Sequence, residues 1–106
     1  MDFSWLVHAI EHYDIPTKAV NTFWKTLLNY KVDSSDEYQA VFKDGDENDF
    51  CISVQTISLK LGNWPECNYN HIVVFIPIWY KNKQVGDYQV MFTLNGQIDD
   101  DMFRIY

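Results

Sequence analysis

The residues most suggestive of catalysis lie near the amino terminus, where His8, Glu11 and His12 match the pattern H-x-x-E-H. On a helix the two histidines stand one turn apart, so their imidazoles can bind one zinc ion while the glutamate acts as a base. Proteases with this motif need a further acidic ligand far downstream and a much larger domain than 106 residues. We therefore interpret His8 and His12 as residues of a helix surface and expect no metal site.

A second group, in the middle of the chain, imitates a calcium-binding loop. Asp44, Asp46 and Asn48 occupy the first ligand positions of such a loop. Asp49 stands where the loop needs glycine for its sharp turn, and Gln55 stands where the last glutamate belongs. We therefore interpret this segment as an acidic turn.

Cys67 and His71 have the residue types of a thiol nucleophile and its base. A nucleophile of this kind also needs a third residue that orients the base and a site for the oxyanion, and the sequence indicates neither. It also contains no glycine-rich phosphate loop and no G-x-S-x-G motif. The sequence therefore predicts a protein that is not an enzyme and uses no cofactor.

The acidic residues are concentrated in two places along the chain. The net charge is −7, and residues 33–49 alone carry seven acids against Lys43, which gives −6. Asp99, Asp100 and Asp101 form a second group. Binding to a phosphate backbone needs cations that release counterions, so we expect no nucleic-acid binding. A basic protein is the natural partner for such a surface.

Aromatic residues lie close to these acids in the sequence, and tryptophan and tyrosine are frequent anchors of protein interfaces. Tyr38 and Trp64 are the first candidates, with Tyr69 and Tyr106 as further ones. The alternative is a solvated surface that only keeps the protein soluble. The predicted partner-binding set contains Asp33, Asp36, Glu37, Tyr38, Asp44, Asp46, Glu47, Asp49, Trp64, Asp99, Asp100 and Asp101.

Helical periodicity is clear in the first third of the chain. Residues 3–13 and 16–31 each place apolar residues at a spacing of three or four, with Pro16 in the first turn of the second helix. In that helix Phe23, Leu27 and Leu28 belong to a wide apolar stripe that should pack on a sheet or on the first helix.

Strand patterns follow, at residues 37–43, 50–61, 70–80, 85–94 and 97–106. Residues 72–80 are apolar at both alternating positions, which is typical of a strand covered on both faces. Pro77 within this strand marks a bulge or a place without a neighbour on its donor side. The apolar positions of residues 50–61 change parity, which predicts a bulge or sharp bend near Gln55 and Thr56.

Asn95 and Gly96 are a hairpin signal before the last strand. A two-residue turn there places Asp87 opposite Arg104, Asp99 opposite Phe92 and Asp101 opposite Val90. Either the turn is longer and holds the acids, or that end of the sheet is open to solvent, and we favour the second.

Together these patterns predict one domain, residues 1–106, of α+β class with two N-terminal helices packed on a curved antiparallel sheet of about five strands. No segment is long and apolar enough to cross a membrane as a helix. Two cysteines and a first segment unlike a signal peptide favour a reduced, cytoplasmic protein.

In size, acidity, cysteine usage and cytosolic character the chain resembles the small immunity proteins of bacterial polymorphic toxin systems, including contact-dependent growth inhibition. The resemblance implies a protein that binds and neutralises a basic toxin, a nuclease above all, through its acidic surface. Those proteins share no motif, so no residue's role is transferred from them.

Two alternatives remain. One is a small-ligand-binding module, since a helix on a curved sheet resembles the cystatin-like and nuclear-transport-factor-like folds. In that case Trp24, Phe75 and Trp79 would line its pocket. The other is a phage-type nucleic-acid mimic, which would use the same acidic surface.

Overall fold

The computed structural model describes residues 2–43 and 45–106, and within these residues it packs helices against one antiparallel sheet. The helices are α1 (Ser4–His12), α2 (Ile15–Asp33) and α3 (Ser35–Phe42), followed by a 3₁₀ turn at Glu47–Asp49. The strands are β1 (Phe50–Ile52), β2 (Thr56–Gly62), β3 (Tyr69–Tyr80), β4 (Lys83–Phe92) and β5 (Ile98–Ile105). The predicted α+β class, with two N-terminal helices and five antiparallel strands, is confirmed.

The sheet is organised around β3, which pairs with β4 on one side and with both β1 and β2 on the other. β4 pairs in turn with β5, which forms an edge of the sheet. α2 covers one face of the sheet because Ile15, Ala19, Phe23 and Leu27 recur every four residues and are buried. They join a core that contains the alternate β3 residues Ile72, Val74, Ile76 and Ile78.

The predicted bulge near Gln55 and Thr56 is confirmed. The Gln55 N–H donates to the Phe75 carbonyl over 2.9 Å, while Thr56 is the register partner of the same Phe75. Two residues therefore oppose one, and the extra residue separates β1 from β2. Pro77 lies opposite this interruption, between the levels of Ile78 and Phe75, as its missing N–H requires.

The strand predicted at residues 37–43 is wrong, because this segment belongs to helix α3. Tyr38 and Phe42 lie one turn apart on the same helical face and are both buried. Their rings contact each other, and Phe42 also contacts Phe50 and Tyr80. The count of five strands still holds, because the bulge divides the predicted strand 50–61 into β1 and β2.

The last hairpin has a three-residue loop instead of the expected two-residue turn. The Thr93 N–H donates to the Gln97 carbonyl over 2.8 Å, and Gly96 adopts a φ of 85°, which suits glycine. A second irregularity follows in β5, where Ile98 pairs with Phe92 and Asp100 pairs with Met91, so that Asp99 is the extra residue. The expected pairing of Asp99 with Phe92 is therefore wrong.

The three-residue loop shifts the pairing of β4 with β5 by one residue, and the extra Asp99 shifts it back. The register beyond Asp99 is therefore the predicted one. Asp87 pairs with Arg104 and Asp101 with Val90. Asp99, Asp100 and Asp101 all lie within β5 and are exposed, as expected for an open end of the sheet.

The expected cover on both faces of β3 is only half present. The described helices pack on the face of Ile72 and Val74, whereas Val73, Phe75 and Trp79 lie on the opposite face and keep part of their surface exposed. Among the described residues, no helix combines the length and apolar character needed to span a bilayer.

Candidate protein-interaction surface

The acids predicted between residues 33 and 49 lie on three successive structural elements. Asp33 ends α2, and Asp36 and Glu37 occupy the first turn of α3, where negative charge suits the helix dipole. Asp46 caps the 3₁₀ turn and Glu47 is its first residue, and all five side chains are exposed. Asp44 lies outside the described residues.

Asp46 and Asp49 shape the 3₁₀ turn by capping it reciprocally. Asp46 Oδ1 accepts a hydrogen bond from the Asn48 N–H (2.8 Å), and Asp49 Oδ2 accepts one from the Asp46 N–H (3.1 Å). These two carboxylates therefore hold the backbone, while the side chain of Glu47 carries no such structural bond in the described part of the chain. Glu47 is therefore the carboxylate of this turn that is available to contact a partner protein.

Two buried tyrosines fix the end of α3 and residues 45–49 to the sheet. The Tyr38 hydroxyl donates to the Gly45 carbonyl (3.3 Å), and the Tyr80 hydroxyl donates to the Phe42 carbonyl (2.6 Å). Gly45 packs so closely on the Tyr80 ring that a Cβ there would overlap it. Burial, followed by charges including those of Asp46 and Asp49, raises the pKa of Tyr38. With only 3 % of its surface exposed, Tyr38 belongs to the core, and its predicted role as a surface anchor is wrong.

An open groove of about 440 Å³ separates α2 from the 3₁₀ turn. Trp24, Leu28 and Phe50 line it with apolar surface, and Asp46 and Glu47 form its acidic wall. Lys31 also borders this groove, with its Nζ 5.5 Å from the centre of the Tyr38 ring. An aromatic floor beside carboxylates is suited to the stem and cation of a lysine or arginine side chain.

On the other side of α2, carboxylates contact the helix from β5 and α3. Asp101 Oδ2 accepts a hydrogen bond from the Tyr88 hydroxyl (2.6 Å) and lies 3.4 Å from Thr26 Oγ1. The Tyr30 hydroxyl, one turn further along α2, donates to Glu37 over 3.5 Å. Burial and then the hydrogen bond to Asp101 raise the pKa of Tyr88.

Acidic residues therefore flank both sides of the second half of α2. Between them the helix presents two apolar side chains to solvent, Leu28 (61 % exposed) and Val32 (70 % exposed). We call this area the α2 surface: Leu28 and Val32, with Asp33, Glu37 and Asp101 on one side and Asp46 and Glu47 on the other. The apolar stripe in the sequence predicts a packed Leu28, and its exposure in the structure shows that this prediction is wrong.

Three predicted residues lie elsewhere. Asp99 contacts the ring nitrogen Nε2 of His71 (2.6 Å) and accepts from the Tyr69 hydroxyl (3.3 Å) near the start of β3. Trp64 is highly exposed in the neighbouring loop between β2 and β3. Asp100 pairs with Met91, on the sheet face opposite α2. These residues do not join the α2 surface.

The other candidate constellations gain little support. His8 and His12 stack at 6.0 Å on the exposed side of α1, and the described residues bring no third ligand to them. Trp24, Phe75 and Trp79 do not line a common pocket, because Phe75 and Trp79 lie on the sheet face away from α2. The ligand pocket with that lining is therefore not formed.

Asp101 offers a test of the structural role of its hydrogen bond with Tyr88. Replacing Asp101 by alanine is expected to lower the free energy of unfolding by about 1–2 kcal/mol, because the buried Tyr88 hydroxyl loses a charged acceptor. Glu66→Ala, at an exposed acid in the loop between β2 and β3, should change it by less than about 0.5 kcal/mol. Urea denaturation at neutral pH measures both. Equal losses for the two variants would contradict the assigned role of Asp101.

The structure therefore defines an α+β domain with helices on one face of an antiparallel meander and an acidic, apolar-centred surface around α2. Comparison of the chain with models of known protein families found no match, nor did comparisons with curated proteins and with solved structures.

Proposed function

We propose that this protein is an immunity or inhibitor protein that acts in the bacterial cytoplasm by binding a basic protein toxin, with a nuclease as the favoured target. The observation that carries the proposal is the α2 surface, in which exposed apolar side chains are bordered on both sides by carboxylates. Interfaces commonly have this anatomy, with an apolar centre that supplies affinity and a charged rim that steers association.

A nuclease suits this surface because it holds phosphates with lysine and arginine side chains. Those cations are attracted to Glu37 on one side of α2 and to Asp46 and Glu47 on the other. One such side chain fits the groove, with its stem on Trp24 and Phe50. Occupying the cationic site of the toxin would exclude its substrate.

The test is a binding measurement with the toxin captured by this protein from its source cells. The variant Asp33→Asn, Glu37→Gln, Glu47→Gln keeps side-chain size and removes three charges from the α2 surface. We expect it to weaken binding at least about tenfold at low salt, and to reduce the salt dependence of the affinity. Titration calorimetry at several salt concentrations provides both quantities.

A matched control removes the same charge elsewhere, through Glu11→Gln, Asp14→Asn and Glu66→Gln, which are exposed and distant from this surface in the fold. It should change the affinity by less than about threefold. An equal loss of affinity for both triple variants would show that only the overall charge matters, and would contradict the assignment of the α2 surface as the binding site. A captured partner that is not basic, or one whose binding ignores salt, would contradict the proposed function itself.

A further inference from the structure

The sheet face turned away from α2 is apolar along its centre. It consists of the alternate residues that point away from the helices, and antiparallel register places them in rows across the strands. One row runs from Val73 to Met91 and on to Asp100. The next runs from Phe75 through Gln89 to Met102. We call this the outer face.

Apolar residues on the outer face are accessible to a partner. Trp79 is 40 % exposed and Met102 is 57 % exposed, while Val73, Phe75 and Met91 are partly exposed. In the described part of the chain no helix packs on this face. Large contiguous patches of exposed apolar surface mark interaction sites.

Charge on the outer face has both signs, and Asp99, beside His71, is a further acid close to its β5 edge. Asp87 is neutralised there by Arg104, whose Nη2 lies 2.6 Å from Asp87 Oδ2. Lys60, on β2, pairs with His71 and lies toward one edge of the sheet. Asp100, on β5, lies at the opposite edge and only one row further along, since it aligns through Met91 with Val73.

This placement makes the outer face complementary to itself. A two-fold axis parallel to the strands exchanges the two edges of the sheet and keeps each residue at its level along the strands. It therefore sets Lys60 of one copy close to Asp100 of the other, twice. The offset of two residues amounts to roughly 7 Å along the strand, and with the ~10 Å between packed sheets it gives a separation of about 12 Å that extended lysine and aspartate side chains bridge together.

We propose that a second copy of this chain docks on the outer face, forming a symmetric dimer in which two sheets pack face to face. Such packing is a common arrangement of twisted sheets. From Val73 to Trp79 and across four strands the face measures roughly 20 by 20 Å, which is about half of the ~800 Å² per partner of a standard interface, so we expect a weak dimer.

The second copy is favoured over a basic protein at this face because of charge. The surplus negative charge borders α2, on the other side of the sheet, so a cationic partner is attracted there. A dimer through the outer face also keeps the two α2 surfaces apart and exposed to solvent. The inference is thus independent of the proposed function, since it uses different residues and a different measurement.

Sedimentation equilibrium from about 1 to 500 µM tests the dimer and its orientation. We expect the wild type to dimerise, and Lys60→Glu and Asp100→Lys each to weaken the dimer at least about tenfold, because each places like charges together twice. The double variant Lys60→Glu, Asp100→Lys restores opposite charges and should return to within about threefold of the wild-type dissociation constant.

Lys25→Glu and Asp36→Lys, which make the same charge changes on exposed helix positions, are the matched controls and should leave the dimer intact. Circular dichroism melting verifies that every variant is folded. A wild type that stays monomeric over the whole range would overturn the proposal. A double variant that dimerises as weakly as the single variants would also overturn it, because Lys60 and Asp100 would then not meet across the interface.

Discussion

Replacing Phe42 by alanine is expected to lower the free energy of unfolding by about 3–5 kcal/mol. Phe42 is fully buried, and its ring lies 5.0–5.1 Å from the rings of Tyr38, Phe50 and Tyr80. Truncation removes the transfer energy of the ring and leaves a cavity that these neighbours fill only partly. Urea denaturation followed by far-ultraviolet circular dichroism measures the loss.

The same substitution should also weaken the proposed binding of a basic partner, because Phe42 holds α3 and residues 45–49 in place. Its carbonyl accepts bonds from the Tyr80 hydroxyl and from the Gly45 N–H. Phe42→Leu, which fills most of the space, should cost about 1–2 kcal/mol and preserve binding. Val32→Ala, on an exposed position, should cost less than about 0.5 kcal/mol. A loss below about 1 kcal/mol for Phe42→Ala would refute the packing role assigned to this ring.

The segment around Phe42 also shows where sequence patterns stop being decisive. Tyr38, Ala40 and Phe42 alternate as in a strand, while Tyr38 and Phe42 alone fit one face of a helix. A segment of eight residues satisfies both periods. The helix is selected by the pocket between Phe50 and Tyr80, which are distant in sequence and meet only when β1 pairs with β3.

Local rules were sufficient where the pattern itself contained the irregularity. The change of parity in residues 50–61 demanded an extra residue, and the sheet provides it at Gln55 and Thr56. In the last hairpin the longer loop and the extra Asp99 shift the register in opposite directions, so the pairing of Asp87 with Arg104 is the same as with a two-residue turn. Sequence reasoning therefore found the ion pair but missed the contact between Asp99 and His71.

The candidate site also has one part that the sequence predicts and one part that it does not. The concentration of charge between residues 33 and 49 was visible in the sequence, because composition alone reports it. The arrangement of these acids around α2 was not visible. It depends on Asp101 reaching Thr26 from β5 and on the acidic turn being anchored beside Trp24. Charged neighbours in the sequence favour a surface position for Tyr38, whereas its ring fills the core.

Arg104→Met is expected to destabilise the fold more than Asp87→Asn does, and more than the surface position of Arg104 alone suggests. Arg104 is 60 % exposed, but its partner Asp87 is only 1 % exposed. Methionine keeps the apolar stem on the sheet and removes the cation, so the buried carboxylate loses its compensating charge. Asp87 Oδ2 would keep the Tyr106 hydroxyl at 2.9 Å, while Oδ1 has no hydrogen-bond partner in the described part of the chain.

The substitution of the other partner, Asp87→Asn, should lower the free energy of unfolding by only about 1–2 kcal/mol. It removes the buried charge and leaves the Arg104 guanidinium able to be hydrated by water. The double variant should therefore be more stable than the sum of the two single losses predicts, by at least about 1 kcal/mol in a double-mutant cycle. Urea denaturation at pH 7 supplies the four free energies, and Lys83→Met, on an exposed strand position, controls for loss of a cation alone. If Asp87→Asn proved the more damaging change, the burial of the carboxylate would not be the source of the asymmetry. The ion pair would then act by linking β4 to β5 instead of by neutralising a charge inside the outer face.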